Sequence, residues 1–294
     1  MSKQQQLQDS YKNRGRLLIS CEDQPGIVSA VSSTLANHKA NIIESNQYST
    51  NPHGGKFFMR IEFECADLQA HKANIKKDLE AIGQTFQMKW TLTDVQQLKR
   101  AAIFVSKELH CLREILLEWD NGDLPIEIPI VISNHPDARV FVESFGIPFV
   151  HIPASRDNRE QSEKEQLDFL KQYEIDVVVL ARYMQILTPD FVEQYDQRII
   201  NIHHSFLPAF VGAKPYDRAY ERGVKLIGAT SHYVTNDLDE GPIIEQDIKR
   251  VNHRDGLMDL KKNGRIVERS VLIRALKWHV EDRVMVNDNK TIVF

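Results

Sequence analysis

Cysteine is scarce in this 294-residue sequence. Cys21, Cys65 and Cys111 are the only three, widely spaced and with no C-x-x-C pair. That pattern excludes a disulfide framework and a zinc knuckle, and it reads as buried thiols. Positive charge is not in excess either: 37 Lys and Arg against 41 Asp and Glu leave a formal net charge of −4. Nothing in that balance marks a nucleic-acid partner. No apolar run approaches the roughly 20 residues of a membrane-spanning helix, and Met1 to Gln8 has no apolar stretch of a secretory signal. The chain therefore reads as soluble and cytoplasmic, with no membrane partner. Three chemistries also lack their signatures. No G-x-G-x-x-G follows the strand at Ala101 to Ser106, no G-x-S-x-G surrounds Ser205, and no histidine or carboxylate series has metal-ligand spacing. A dinucleotide cofactor, a serine nucleophile and a metal centre are thus all unsupported, and neither a metal nor a cofactor is expected.

What is present is an ordinary globular composition, 42% hydrophobic and 27% charged, long enough for two domains or one large one. After a polar leader, Arg16 to Cys21 reads as a strand and Glu22 to Gly26 as a turn. Ile27, Val28, Val31 and Leu35 fall at helical spacing, Asn41 to Ser49 and Phe57 to Cys65 read as a hairpin turning at Gly54-Gly55, and a helix runs from about Leu68. Phe86 to Leu92 reads as a closing strand. The order is βαββαβ, the ferredoxin-like split motif. Thr93 to Arg100 is polar and reads as a linker, so the expected division is 15–93, a linker at 94–100, and 101–294.

Beyond the linker the pattern alternates between strand and helix: strands at Ala101 to Ser106, Ile126 to Ser133, Ile147 to Ile152 and Asp176 to Ala181, with helices between them. Apolar runs such as Val177 to Leu180 suit parallel strands buried on both faces, and a doubly wound, Rossmann-like sheet is expected. Leu226 to Val234 and Ile243 to Val251 are two further strands, Asp255 to His279 is mostly helical, and Val284 to Phe294 is expected to form a hairpin.

The chemistry concentrates where the apolar run Arg198-Ile199-Ile200 gives way to Asn201-Ile202-His203-His204-Ser205-Phe206-Leu207-Pro208. Ligands collect at the C-terminal ends of strands in open α/β sheets. Asn201 and His203 lie two apart and so share a face in an extended segment. Some thirty residues on, Ser231 to Pro242 offers His232 and Asp239. An amide to donate to a carbonyl oxygen, an imidazole to move a proton and a carboxylate are the parts of an acyl-transfer site. His232 is placed to fix or tune Asp239 if the strand from Leu226 runs beside the one ending at Asn201. A carboxylate in an apolar cleft is expected to have its pKa raised, which would suit Asp239 to shuttling protons near neutrality.

Two resemblances add to this reading. Asp23-Gln24-Pro25-Gly26-Ile27, between first strand and first helix, resembles the ACT domain, a module that often binds amino acids and pairs with a second copy. The resemblance implies a regulatory site at Asp23, Pro25, Gly26 and Ile27, glycine or methionine as effector, and a homodimer or homotetramer. Asn201 to Pro208, His232-Tyr233-Val234 and Asp237-Leu238-Asp239-Glu240-Gly241-Pro242 are similar to the signature of folate-dependent formyltransferases. That likeness implies Asn201, His203, Asp239 and His232 as the catalytic set. It also implies a folate segment at Arg182, Tyr183, Met184, Gln185, Ile186 and Leu187, joined by Val234 and Asp237. Glycinamide ribonucleotide transformylases carry a Gly- and Ser-rich phosphate loop after the first strand, whereas the stretch here is Val105-Ser106-Lys107-Glu108-Leu109-His110-Cys111. It has no glycine, and Glu108 would repel an anion. With an amine acceptor left unseated, water becomes the natural acceptor. From about residue 15 to Phe294 the chain resembles the formyltetrahydrofolate deformylases. The expected reaction is hydrolysis of 10-formyltetrahydrofolate to formate and tetrahydrofolate, supplying formate for purine synthesis and balancing one-carbon folates. The alternatives are formyl transfer to an amine and a non-catalytic amino-acid sensor.

Overall fold

The computed structural model describes residues 3–51, 53–155, 158–209 and 214–294. It divides into two compact units, one over residues 1–98 and one over Lys99–Val293. In the first, α1 (Lys3–Ser10) precedes β1 (Arg14–Glu22), α2 (Ile27–Asn37), β2 (Asn41–Ser49), β3 (Lys56–Glu64), α3 (Leu68–Phe86) and β4 (Lys89–Asp94). The four strands form one antiparallel sheet in the order β2-β3-β1-β4. Leu17 and Ile19 on β1 and Met59, Ile61 and Phe63 on β3 bury against Val31 and Leu35 of α2 and Ile75 and Leu79 of α3. This is the period-two, period-3.6 complementarity that the sequence pattern carries. On the alternate positions sits a buried ion-pair chain, Arg16 to Glu62 at 3.0 Å, Arg60 to Glu62 at 3.0 Å and Arg60 to Glu44 at 2.7 Å.

The strand expected from Phe86 is corrected. α3 runs on to Phe86 and closes with Gln87 in the left-handed conformation (φ 52°), while Met88 N–H donates to the Gly83 carbonyl at 2.8 Å. The turn at Asp23 to Ile27 has a local structural basis. Gly26 takes φ 97° at the entry to α2, Ile27 is buried, and the Asp23 carboxylate accepts from Ser49 Oγ. A left-handed φ of that size favours glycine.

The second unit holds β5 (Lys99–Val105), α4 (His110–Asn121), β6 (Ile126–Ser133), α5 (Arg139–Glu143), β7 (Phe149–His151), α6 (Arg159–Gln172), β8 (Val177–Ala181) and α7 (Pro189–Gln194). It continues with β9 (Ile199–His203), α8 (Pro215–Arg222), β10 (Leu226–Tyr233), β11 (Ile243–Arg250), α9 (Leu257–Val280) and the hairpin β12 (Val284–Asn287) and β13 (Lys290–Val293). Lys99 and Arg100, read as linker, begin β5, because their polar groups are satisfied there. Arg100 N–H donates to Asp176 at 2.8 Å and its guanidinium to the Tyr173 carbonyl at 2.8 Å.

The seven strands run in the order β11-β10-β9-β8-β5-β6-β7, parallel from β9 to β7, with β10 and β11 antiparallel at one edge. Both faces are covered. Ala101, Ile103 and Val105 pack with Leu112, Ile115, Val271 and Leu272 on one side, and Ala102 and Phe104 with Leu170, Phe191 and Val192 on the other. Each fully buried side chain of this size contributes roughly 1.5–3 kcal/mol. That rigid double-sided sheet presents the ends of β8, β9 and β10 to a common edge, where the candidate site lies. Among the described residues no helix is long and apolar enough to cross a membrane.

Candidate active site

β9 delivers Asn201 and His203, and its antiparallel neighbour β10 pairs His232 with Asn201 and Thr230 with His203. Residues directly opposite across an antiparallel pair project to one face, so the two histidines and the amide converge. Asp239 arrives from the loop after β10 and adopts a left-handed backbone (φ 59°), which Asp tolerates better than most residues. Two residues on, a Cβ on Gly241 would lie 1.9 Å from the Tyr233 carbonyl oxygen. Only glycine lets the loop close that tightly, with Tyr233 N–H donating to the Pro242 carbonyl at 2.9 Å.

The Asp239 carboxylate meets His203 Nδ1 at 3.2 Å and lies 3.6 Å from His232 Nε2. His232 Nδ1 is 2.9 Å from the Tyr233 carbonyl, which can only accept, so the proton sits on Nδ1. In that tautomer Nε2 accepts from the Asn201 amide at 3.1 Å. The tautomer of His232 thereby fixes which way the Asn201 amide points, and leaves that amide a second N–H. His203 is buried, its Nδ1 is committed to Asp239, and its Nε2 has no hydrogen-bond partner among the described residues.

The expected raised pKa of Asp239 is corrected. Desolvation by burial pushes it up, but the hydrogen bond from His203 Nδ1 and the His232 ring beside it outweigh burial and hold the carboxyl well below the usual carboxylate range. Asp239 is a fixed anion rather than a group poised near neutrality. Adjacent His204 is held neutral, its pKa lowered to about 3 by burial and then by the Arg182 charge, and its ring lies 5.3 Å from that of His203.

These groups line a cavity of about 510 Å³, within the range of small-molecule sites. Its wall takes in Arg182 to Leu187, Val234 and Asp239. Met184 is 58% and Ile186 57% exposed, so neither serves as core, whereas Leu187 and Tyr183 are buried in the sheet's second core. Tyr183 accepts from Gln166 at 2.9 Å, and Met184 N–H donates to Ser106 Oγ at 3.0 Å, which anchors this segment to the loop after β5. Gln185 lines the cavity too. Asp237 does not line it. It is exposed, and its carbonyl accepts from Thr235 Oγ at 3.1 Å within the loop.

Sequence reasoning missed a second cluster. Glu268 on α9 is fully buried, meeting Tyr216 Oη at 2.6 Å, His110 Nε2 at 2.8 Å and Arg182 Nε at 3.5 Å. Burial raises its pKa, yet His110 and Arg182 bring it down to about 2, while burial and Glu268 push the Tyr216 phenol far up. Tyr216 reaches Glu268 by lying on Gly264, where a Cβ would come within 2.1 Å of its oxygen. The spacing Gly264-x-x-x-Glu268 on one helix face is the signal in hindsight. His110, Cys111 and Glu268 could gather around an ion by distance alone, but the Arg182 guanidinium beside Glu268 opposes a cation there, and burial holds the Cys111 thiol protonated.

The second unit and its site define a formyl transferase domain, and the first an ACT domain. The Formyl transferase family matches residues 99–276 and the ACT domain family residues 15–80. The chain is 64% identical to the formyltetrahydrofolate deformylase of Bacillus subtilis (strain 168) over 286 residues, covering 97% of this chain and 95% of that protein. The crystal structure of a formyltetrahydrofolate deformylase from Pseudomonas syringae pv. tomato superposes with a TM-score of 0.91 at 46% identity, over 99% of this chain and 98% of that one. Glycinamide ribonucleotide transformylase 1 from Symbiobacterium toebii aligns with a TM-score of 0.64 at 30% identity, over 67% of this chain and 94% of that one. The chain belongs to the formyltetrahydrofolate deformylase family.

Proposed function

We propose that this protein hydrolyses 10-formyltetrahydrofolate to tetrahydrofolate and formate, with water as the formyl acceptor. The observation that carries the mechanism is His203: Nδ1 is held by an ionised Asp239 and Nε2 is unpartnered. That is a general base aligned for a water. The pterin lies along Arg182 to Leu187 and Val234, with the formyl group toward Asn201. Asn201 donates its remaining amide N–H to the formyl oxygen as it becomes an oxyanion. His203 takes one proton from water as the oxygen bonds to the formyl carbon. It returns that proton to the folate nitrogen as the C–N bond breaks, and the second water proton leaves with ionisation of the formic acid. Asp239 stabilises the transient imidazolium without itself taking a proton.

The reading requires formate release from 10-formyltetrahydrofolate with no amine present, and release that appears only on adding an amine would make the protein a transferase instead. No metal or redox cofactor enters these steps, so a chelator-treated enzyme should keep its turnover; a loss restored by a metal would overturn that part. In cells the formate would feed purine synthesis and the reaction would balance the one-carbon folate pool. For the ACT domain the proposal is glycine or methionine bound at a paired interface near Asp23 to Ile27, in a homodimer or homotetramer. Calorimetric titration with either amino acid should show saturable binding that changes the rate, and absence of both effects refutes the sensing role.

A further inference from the structure

Beside the reaction cavity lies a second chamber of about 290 Å³, and the two share Arg182, His204 and Lys214 as wall residues. Its side chains carry four permanent cations, Arg182, Lys214, Lys261 and Arg265, against three carboxylates. Those carboxylates are largely committed. Asp217 is paired with Lys261 at 3.2 Å, Glu268 is taken up by Tyr216 and His110, and Glu108 has a side chain more than half exposed. Two cations are not committed: among the described residues neither Lys214 nor Arg265, both exposed at the chamber's rim, has an ion-pair partner. Arg182 Nε is spent on Glu268 at 3.5 Å, while His110 Nδ1, 3.9 Å from the Glu108 carboxylate, is buried without a hydrogen-bond partner and its residue lines the chamber. Unspent positive charge and an unspent imidazole nitrogen in one recess point to an anion with acceptor oxygens.

We propose that this chamber binds the formate product and is its way out of the reaction cavity. The proposal rests on the hydrolytic reading. Cleavage leaves a one-carbon carboxylate beside the Asp239 anion, with the folate still filling the apolar side of the cavity. Like charge drives formate from Asp239, and the cations lining the reaction cavity, Arg182 and Lys214, stand on the shared wall. The chamber suits a monoanion better than a phosphate. The loop after β5 has no glycine to bare its N–H groups, and Glu108 adds a repulsion that a dianion feels twice.

The test is a titration of the purified full-length enzyme, free of folate, with ¹³C-formate at constant ionic strength. Saturable binding is expected, weakened about tenfold by Arg265→Ala, the cost of one charged contact. Arg265→Lys should retain most of it, and Lys262→Ala, a neighbouring exposed lysine outside the chamber, should leave it intact. The same order should appear in the formate inhibition constant during turnover. No saturation, equal affinity in wild type and Arg265→Ala, or inorganic phosphate displacing formate at tenfold lower concentration would each overturn the proposal. The binding titration needs no turnover. An enzyme that binds formate but releases none from 10-formyltetrahydrofolate therefore refutes the hydrolytic reading, whereas release without Arg265-dependent binding refutes only the chamber.

Discussion

Two carboxylates in the catalytic unit, Asp239 and Glu268, are both held ionised by histidine partners, and they do different things. Glu268 is closed in: a phenol, an imidazole and a guanidinium occupy its oxygens, and its side chain is 1% exposed. Asp239 sits in a loop at a cavity wall, and the histidine it holds keeps one nitrogen free. An anion whose own oxygens are closed off by a phenol, an imidazole and a guanidinium fixes structure, here the root of the Arg182 segment and the seat of Tyr216. An anion that orients a base with an unspent lone pair supports chemistry. Burial and depressed pKa alone do not separate the two. Position does: Asp239 and His203 line the reaction cavity, and Glu268 and His110 do not.

That contrast is open to direct attack, in falling order of effect on turnover. Asp239→Asn should lose at least ~100-fold in kcat, the scale of a positioned acid–base group, while keeping the wild-type circular dichroism spectrum. A variant that keeps its turnover erases the distinction. Gly241→Ala should lose about tenfold or more, because the new methyl must push the Asp239 loop off the Tyr233 carbonyl. A crystal structure of that variant with the His203 to Asp239 contact intact and the activity lost would assign the effect elsewhere. Glu268→Gln should change kcat less than fivefold, roughly the scale of an indirect positioning effect, but should alter stability and its pH dependence.

For Glu268 the folded pKa, about 2, lies below the unfolded value of 4.5, so folding favours the ionised form. Its contribution is complete above pH 4.5 and is lost as the pH falls toward 2. Acid unfolding followed by circular dichroism should therefore be shallower through that window in Glu268→Gln, and an unchanged slope would refute the linkage. Tyr216→Phe should have the smallest effect, costing about 1.5–3 kcal/mol of stability for a hydrogen bond to a charged group. Its kcat should stay within roughly twofold, since the phenol oxygen hydrogen-bonds Glu268 and Tyr216 does not line the reaction cavity.

Much of this was legible in the chain. The βαββαβ order, the parallel strands and the alternation of Phe57, Met59, Ile61 and Phe63 follow from periodicity, because burial on one face or two writes itself into every second residue. Asn201 and His203 were legible as a shared strand face, and His232 fell opposite Asn201 as the conditional pairing required. Less was legible where distance along the chain hides contact. Nothing near Glu268 announces that His110, 158 residues away, reaches it, nor that Gly264 exists to seat Tyr216. The sign of the Asp239 shift was misjudged because composition suggests an apolar cleft, whereas two imidazoles set the local field. The overrun of α3 to Phe86 turned on one left-handed Gln87, a conformation for which glutamine carries no signal.

The most direct measurement is hydrolysis of 10-formyltetrahydrofolate in ¹⁸O-enriched water, without amine, by wild type and Asp239→Asn. The expected product is formate carrying one solvent oxygen, matched mole for mole by tetrahydrofolate and nearly absent in the variant. Formate without solvent oxygen, or solvent-labelled formate at equal rates in both proteins, would contradict it.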